Sequence, residues 1–424
     1  MKPSNLISLD QALASVLDQA QRLDAPESVD LFLADGRVLW ADCISPLQVP
    51  PLDNSAMDGY ALRLADVTAL GTVLPVSQRV PAGQVGTALL PGTAARIFTG
   101  APVPPGADVV LMQEDCEALE SGESGEGSGG DGVYGSVRIN ALPKPGQHIR
   151  RAGEDIALGS RVLAAGTRLT PAALGLAASI GLAELPVSRK PRVALFSTGD
   201  ELVLPGTVAP QDMRPGAIYN SNRYFLRALL LRLGCEVVDG GILPDHRAQT
   251  VQALRAAAQD CDLILTSAGV SVGEEDHVKP AVEQLGELGL WKIAMKPGKP
   301  FAYGKLRKEG GGFAHFMGLP GNPVSSFMTF LVLVRPFVLR LQGVQDVAPR
   351  TVEAVAHFDL PKADARREFL RVRHNAQGGL EIFTNQSSGV LTSAVWGDGV
   401  VDNPAQTSIA RGDRVRFIPF SELL

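Results

Sequence analysis

The apolar positions predict the elements before any chemistry is considered. Near the start, Leu9, Leu13, Val16 and Leu17 recur at three- and four-residue steps. That spacing predicts an amphipathic helix, with Ser8 or Asp10 placed to cap it. Residues 27–50 read as short strands ending in the rigid PLQVPP. Residues 51–155 are rich in Gly and Pro and carry brief β-type runs such as GTVLPV and AARIFTG, which predicts a β or mixed module. Residues 158–188 return to extended and short helical patterns. From Pro191 strands and helices alternate. Strands are expected over RVALFS, CEVVDGGIL, DLILTS, LWKIAM and GFAHFMGL. Helices are expected over NRYFLRALLLRLG, AQTVQALRAAAQ, KPAVEQLGELG and the long PVSSFMTFLVLVRPFVLRL. This alternation predicts a parallel, three-layer α/β/α domain over 191–343. After residue 344 the pattern is β again, in TVEAVAHFDL, EFLRVRHN, GLEIFTN and DRVRFIPF, which fits a small β-barrel or sandwich. No internal repeat is visible.

Composition narrows the function classes. The formal net charge of −6 argues against bulk electrostatic binding to nucleic acid, and 5% aromatics leave few stacking platforms for bases. Cys43, Cys116, Cys235 and Cys261 form no CxxC and no near pair, which favours ordinary thiols in a reducing compartment. The opening MKPSNLISLDQALASVL contains an acid and no continuous apolar core, so no signal peptide is expected. The longest apolar run is interrupted by Arg335 and Pro336 and is not expected to span a bilayer. A cytoplasmic protein is the resulting expectation. The segment ESGESGEGSGGDG at 120–132 cannot bury apolar surface and reads as a loop.

Candidate chemistry follows from topology. In a parallel α/β sheet, ligands collect beyond the carboxyl ends of the strands. Four segments are expected there: STGDEL (197–202), LPDHR (243–247), TSAGVSVGEEDHVK (266–279) and GLPGNPVSS (318–326). Three place Gly next to Ser or Thr, so backbone N–H groups can approach an anion, and a helix start after such a loop favours an oxyanion. The same edge carries Asp200, Glu201, Asp245, Glu274, Glu275 and Asp276, followed by Lys292, Lys296 and Lys299. Taken singly, such acids cap helices and such lysines are solvated. Together, lysines for phosphate or oxyanion and carboxylates for Mg²⁺ point to a nucleotide or pyrophosphate substrate with a divalent ion. No Walker A or Rossmann fingerprint occurs. GVSVG imitates a nucleophile elbow, but no His and acid follow in the expected context. A second cluster lies in PPLDNSAMDGYAL (50–62), RIFTGAPVPPGAD (96–108) and HIRRAGEDI (148–156). Asp-Gly and Asn-Ser there are equally ordinary turn residues, and Arg150 and Arg151 with Glu154 and Asp155 could be a surface ion pair.

PPLDNSAMDGYA, IFTGAPVPPGADVV, IRRAGEDI, VALFSTGDEL, GVSVGEED, KPGKPFAYG and GLPGNPVSS, in this order, resemble the motifs of the MoeA-type molybdopterin molybdenumtransferases, which share their core with the C-terminal domain of gephyrin. The resemblance runs from about residue 5 to the C-terminus. It implies four domains. Residues 1–46 and 158–190 form an N-terminal helix and elongated linker domain, and 47–157 form a β-rich insertion module contributing to the active site. The α/β molybdopterin-binding domain covers 191–343, and the C-terminal β-barrel covers 344–424. It further implies an Mg²⁺-dependent reaction. Adenylylated molybdopterin and molybdate are the substrates, and AMP is released as molybdenum reaches the dithiolene sulfurs. A homodimer whose site is shared between subunits, and a molybdopterin adenylyltransferase upstream, belong to the same expectation. Carried over residue by residue, it marks Asp58, Thr99, Arg150 and Asp155 in the β module, with Ser55 in the same turn. In the α/β domain it marks Glu201, Asp245, Asp276, Lys292 and Lys296, then Pro320 and Pro323. Lys296 and Lys299 with Ser325 would hold molybdate, joined by Arg371 from the barrel, while Thr198, Gly269, Ser271 and Gly273 would face the nucleotide or pterin phosphate. Glu201 and Asp276 are the candidates for Mg²⁺. Two departures from the family pattern are Ala268, where a glycine is expected, and the 120–132 segment, longer and looser than the family's usual turn. Two rival readings remain. One is a molybdopterin adenylyltransferase, which would not need the 50–155 module and would release pyrophosphate from ATP. The other is a receptor-clustering scaffold.

Overall fold

The computed structural model describes residues 6–119, 134–243, 246–269 and 277–424. The 120–132 loop therefore lies outside the described residues. The chain forms two compact units, one of Met1–Ala41, Ala165–Thr170 and Leu185–Leu424, the other of Asp42–Ala164 and Pro171–Glu184.

In the first unit, the strand Arg192–Thr198 sets the logic of the layers. Val193 and Leu195 face one core, with the helices Leu9–Leu17, Asn222–Arg232 and the long 323–341 run. Ala194 and Phe196 face the other, with the helices Arg247–Asp260 and Val278–Leu285. The period of two along a strand thus feeds two helical layers and gives the three-layer architecture. The sheet order is Leu6–Ile7, Gly286–Ile293, Pro300–Arg307, Phe313–Leu319, Leu263–Ser267, Arg192–Thr198, Glu236–Leu243. Every strand runs in one direction except Pro300–Arg307.

Two local expectations change. The helix expected over KPAVEQLGELG stops at Leu285, and Gly286 opens a strand instead. Pairing with Pro300–Arg307 overrides helical propensity, and a side chain at Gly286 would collide with the Lys305 carbonyl. Pro300–Arg307, not among the strands expected from sequence, is the antiparallel strand that makes the sheet mixed.

The N-terminal helix is set by a capping box. Gln11 N–H donates to Ser8 Oγ at 3.1 Å, and Ser8 N–H donates to Gln11 Oε1 at 3.0 Å. The long helical run tolerates Pro336 because it widens into a π segment over Phe330–Val334 just before it. Its 19 residues are long and apolar enough to cross a membrane, yet 83% of this apolar stretch is buried inside the protein. Arg335 is met there by the carbonyls of Val347 (3.1 Å) and Glu422 (2.8 Å).

The C-terminal sheet pairs Met295–Lys296, Arg367–His374, Gly399–Asn403, Arg414–Pro419 and Val352–Val355 in that order, with Leu380–Ile382 beside Arg367–His374. Residues of this sheet, Phe369, Val400 and Ile418, enter the same core as the α/β domain. The second unit holds a six-stranded sheet in the order Val109–Met112, Gly59–Leu62, Ala94–Ile97, Val73–Val80, Ser136–Ile139, Cys116–Leu119.

Candidate active site

The carboxyl ends of the aligned strands, at Thr198, Leu243, Ser267, Ile293 and Leu319, share one edge of the seven-stranded sheet. Two adjoining clefts open there. One, of about 500 Å³, is lined by Ala268, Gly269, Lys296, Lys299, Pro320, Ser325 and Arg366, among others. The other, of about 330 Å³, is lined by Thr198, Glu201, Asn222 and Ser267, and shares Ala268, Gly321 and Asn322 with the first. Three of the four loops expected at this edge therefore meet. The described part of the fourth ends at Leu243, and Asp245, Ser271, Gly273 and Asp276 lie outside the described residues.

Backbone geometry shapes the floor. Gly269 has φ +74°, and a Cβ there would sit 2.7 Å from Val278 Cγ2, so only glycine fits. Ala268 adopts φ +73° with its methyl group present. A non-glycine residue in this region costs about 1–2 kcal/mol. Ala268→Gly is expected to stabilise the protein by roughly 0.5–1 kcal/mol once the added chain entropy is offset, measured as a raised urea midpoint. Gly199 (φ +129°) lets the Glu201 carboxylate fold over it. Asn222 ties the edge together, donating from Nδ2 to Ser267 Oγ at 2.8 Å and to the Gly321 carbonyl at 2.7 Å.

Lys296 reaches its cleft from an unexpected direction. Residues Met295–Lys296 leave the α/β sheet and become the edge strand of the C-terminal sheet, with Lys296 opposite Glu368. Its ammonium donates to Glu368 Oε1 at 2.9 Å and lies 3.3 Å from Asp364. Glu368 is 2% exposed, and its Oε2 has no hydrogen-bond partner among the described residues. The Glu368 hydrogen bond, reinforced by Asp364, raises the Lys296 pKa against its partial burial, so the ammonium stays charged. Asp364 also takes a bidentate grip from Arg366 (2.9 and 3.0 Å), and this holds its carboxyl far below the usual range. Two acids thus aim two cations. Lys299 is exposed at the same cleft, and among the described residues it has no ion pair.

The helix start contributes less than the sequence implies. Pro323 has no N–H, and that of Val324 donates to the Ser388 carbonyl of the C-terminal domain at 2.9 Å. Arg371 is 1% exposed and points away from solvent. It donates to Ser393 Oγ (3.1 Å) and the Phe369 carbonyl (2.9 Å), and burial lowers its pKa to about 10. Its backbone also pairs with Gln386, so Arg371 holds the 386–388 loop that lines the cleft. Lys292 is exposed near the end of its strand and is not among the residues lining either cleft. Arg366, Asp364, Glu368 and Asn222 are the site residues that sequence reasoning missed.

In the second unit, Asp58 and Thr99 come together across 41 residues. The Thr99 N–H and hydroxyl both donate to Asp58 Oδ1 at 2.8 Å. These two donors, the backbone one first, lower the pKa of the exposed Asp58 carboxyl. Ser55 is fully buried, and its hydroxyl serves the turn, donating to the Met57 carbonyl at 2.5 Å. The ion pair expected within HIRRAGEDI forms elsewhere. Arg151 pairs with Asp53 at 2.6 Å, while Glu154 accepts the Arg151 N–H at 2.8 Å. Arg150 and Asp155 are exposed, and Arg150 pairs in register with Asn54.

Comparison with known proteins covers nearly the whole chain. Residues 7–181 match the family described as MoeA N-terminal region (domain I and II), 194–340 match a probable molybdopterin binding domain, and 353–420 match the MoeA C-terminal region (domain IV). A molybdopterin molybdenumtransferase of Haemophilus influenzae is 41% identical over 429 residues, spanning 99% of this chain and 100% of that protein. The chain belongs to the MoeA family. Its fold agrees: a MoeA protein of Pyrococcus horikoshii OT3, described as a molybdopterin biosynthesis protein, superposes with a TM-score of 0.82 at 28% identity, covering 98% of this chain and 100% of that one. A gephyrin of Dictyostelium discoideum is 31% identical over 376 residues, covering 80% of this chain and 50% of that protein. This MoeA chain therefore carries, along its sequence, the MoeA N-terminal region, a molybdopterin binding domain and the MoeA C-terminal region.

Proposed function

We propose that this MoeA chain is a molybdopterin molybdenumtransferase of molybdenum cofactor biosynthesis. It takes molybdate and adenylylated molybdopterin, releases AMP and passes the metal to the dithiolene sulfurs. The observation that carries this reading is the carboxyl-edge cleft, where Lys296, Lys299 and Arg366 converge beside Ser325. Cations from two separate segments, Lys296 and Lys299 on one and Arg366 on the other, can surround a tetrahedral dianion, and each hydrogen bond to it from a charged group contributes about 1.5–3 kcal/mol. Full-length identity to a relative of that name supports the same reading.

The adjoining cleft, with Thr198, Asn222 and Ser267, takes the organic part of the substrate. Glu201 is one candidate ligand for Mg²⁺. The donor set fits, because Mg²⁺ keeps several waters and needs only one or two protein carboxylates beside substrate phosphates. When bound, the ion would neutralise charge on the phosphoanhydride. Asp58, kept ionised by Thr99, accepts a proton or a hydrogen bond from the reacting groups, and Arg150 and Asp155 flank the substrate from the same module. We place that module of one subunit at the α/β cleft of the other in a homodimer, which gives the two distant motif clusters one site. A molybdopterin adenylyltransferase supplies the substrate upstream. The four free cysteines suit a cytoplasmic setting.

Glu368 aims Lys296 in this scheme. Glu368→Gln keeps an acceptor but removes the charge, and is expected to raise the KM for molybdate about fivefold, since a charge-assisted bond is roughly twice as strong as a neutral one. The kcat and the unfolding temperature should hold or rise, because a buried carboxylate is costly to fold.

The test of the function is AMP release from adenylylated molybdopterin by the purified chain. Release that requires molybdate is expected. Release that ignores molybdate, or pyrophosphate release from ATP in its place, would overturn the proposal.

A further inference from the structure

Beside Asp58 lies a pair of arginines that the scheme above does not use. The strands Val73–Val80 and Ala94–Ile97 run parallel as neighbours, and their register sets Arg79 directly opposite Arg96. Like charges facing each other across two strands are unfavourable unless something offsets them. Among the described residues, neither guanidinium has a carboxylate at ion-pair distance. Both instead lie over the ring of Phe98, at 4.7 Å and 4.9 Å from its centroid. Arg96 is further anchored, donating to the Gly59 carbonyl at 3.1 Å and to Gln113 Oε1 at 2.7 Å. Arg79 is exposed.

We propose that Arg79 and Arg96 form a phosphate-binding subsite next to Asp58 and Thr99. The placement follows from the sheet. Phe98 and Thr99 directly follow Ala94–Ile97, Asp58 directly precedes its antiparallel neighbour Gly59–Leu62, and Arg79 sits near the end of Val73–Val80. Guanidiniums and carboxylate therefore share one end of one sheet. Two planar guanidiniums match the oxygens of a phosphate or pyrophosphate bidentately, which lysines cannot do. The ring of Phe98 holds both at a fixed height without neutralising them, as a carboxylate would. The ligand class is the phosphoanhydride of the substrate, held so that its bridging region lies within reach of Asp58. This inference rests on the function proposed above.

Arg79→Gln carries the test, because Arg96 also supports Gly59 and Gln113. In the AMP-release assay, Arg79→Gln is expected to raise both the KM for adenylylated molybdopterin and the Ki of inorganic pyrophosphate about tenfold, with kcat within twofold and the unfolding temperature unchanged. Arg79→Lys should recover part of the loss through its charge. Calorimetry with inorganic pyrophosphate, in a Lys299→Ala, Arg366→Ala background that silences the other cationic cleft, should show the same tenfold weakening on adding Arg79→Gln. This second arm decides the subsite even if the wild-type chain releases no AMP. Unchanged KM and Ki, or pyrophosphate binding indifferent to residue 79, would show that the arginines only pack on Phe98.

Discussion

Asp58→Asn is expected to lower molybdate-dependent AMP release by a factor of about 10²–10⁴, the usual contribution of a positioned acid or base, while leaving the unfolding temperature where it was. The structure separates the two effects. The Asp58 side chain is exposed and packs in no core, so little stability depends on it. Its environment nonetheless favours the charged form, since two donors from Thr99 converge on one oxygen. An amide at this position can still accept from Thr99, so the loop should keep its shape while the charge and the proton-accepting capacity are lost. Thr99→Val is the companion variant. It removes the hydroxyl donor but keeps the backbone one, and should give a milder loss of about tenfold or less, in proportion to one hydrogen bond to a charged group. Equal activity of Asp58→Asn and wild type would remove Asp58 from the mechanism.

The second large effect is expected at the cleft. Arg366→Ala should weaken molybdate binding by about 10–100-fold, because it deletes a charged donor from the oxyanion cradle. Lys299→Ala should weaken it less, since a solvated ammonium on a flexible stem is screened by water and salt. The asymmetry comes from how each cation is held. Arg366 is fixed in a bidentate grip on Asp364, whereas Lys299 is exposed and without an ion pair among the described residues. Removing the Arg366 side chain also leaves Lys296 as the remaining charged partner of Asp364, so that acid should draw Lys296 from Glu368 and blur the cradle further. Titrations of molybdate at two ionic strengths check both points. Lys299→Ala should flatten the salt dependence more than it changes the low-salt affinity ranking.

Much of the fold was legible because its signals were periodic. The apolar strand RVALFS and its successors, the helix cap at Ser8, and the shift to β patterning after residue 344 each follow from local rules. What failed was non-local. Pro300–Arg307 carries lysine, glycine and proline, so it reads as loop, and only its antiparallel neighbours make it a strand. The same pairing stole residues 286–289 from a plausible helix. At the candidate site, motif order pointed to the sheet edge where the two clefts open but not to every side chain that lines them. In DARREFLRV the sequence offers three arginines, and strand parity decides among them. Arg371 shares the Phe369 face and lies in the buried middle of the strand, while Arg366, just before the strand and on the Glu368 face, comes out at the cleft. Glu368 was hidden for a different reason. Its partner Lys296 is 72 residues away, and their strands pair only because the α/β domain lends residues 295–296 to the neighbouring sheet.

Molybdenum and tungsten scatter X-rays anomalously, so crystals soaked in molybdate or tungstate can locate the oxyanion without reference to activity. The expected map has its strongest peak between Lys296, Lys299, Ser325 and Arg366, and loses it in Arg366→Ala crystals. A fully occupied peak elsewhere, with that cleft empty at saturating anion, would contradict the assignment of this edge as the place where the metal is received.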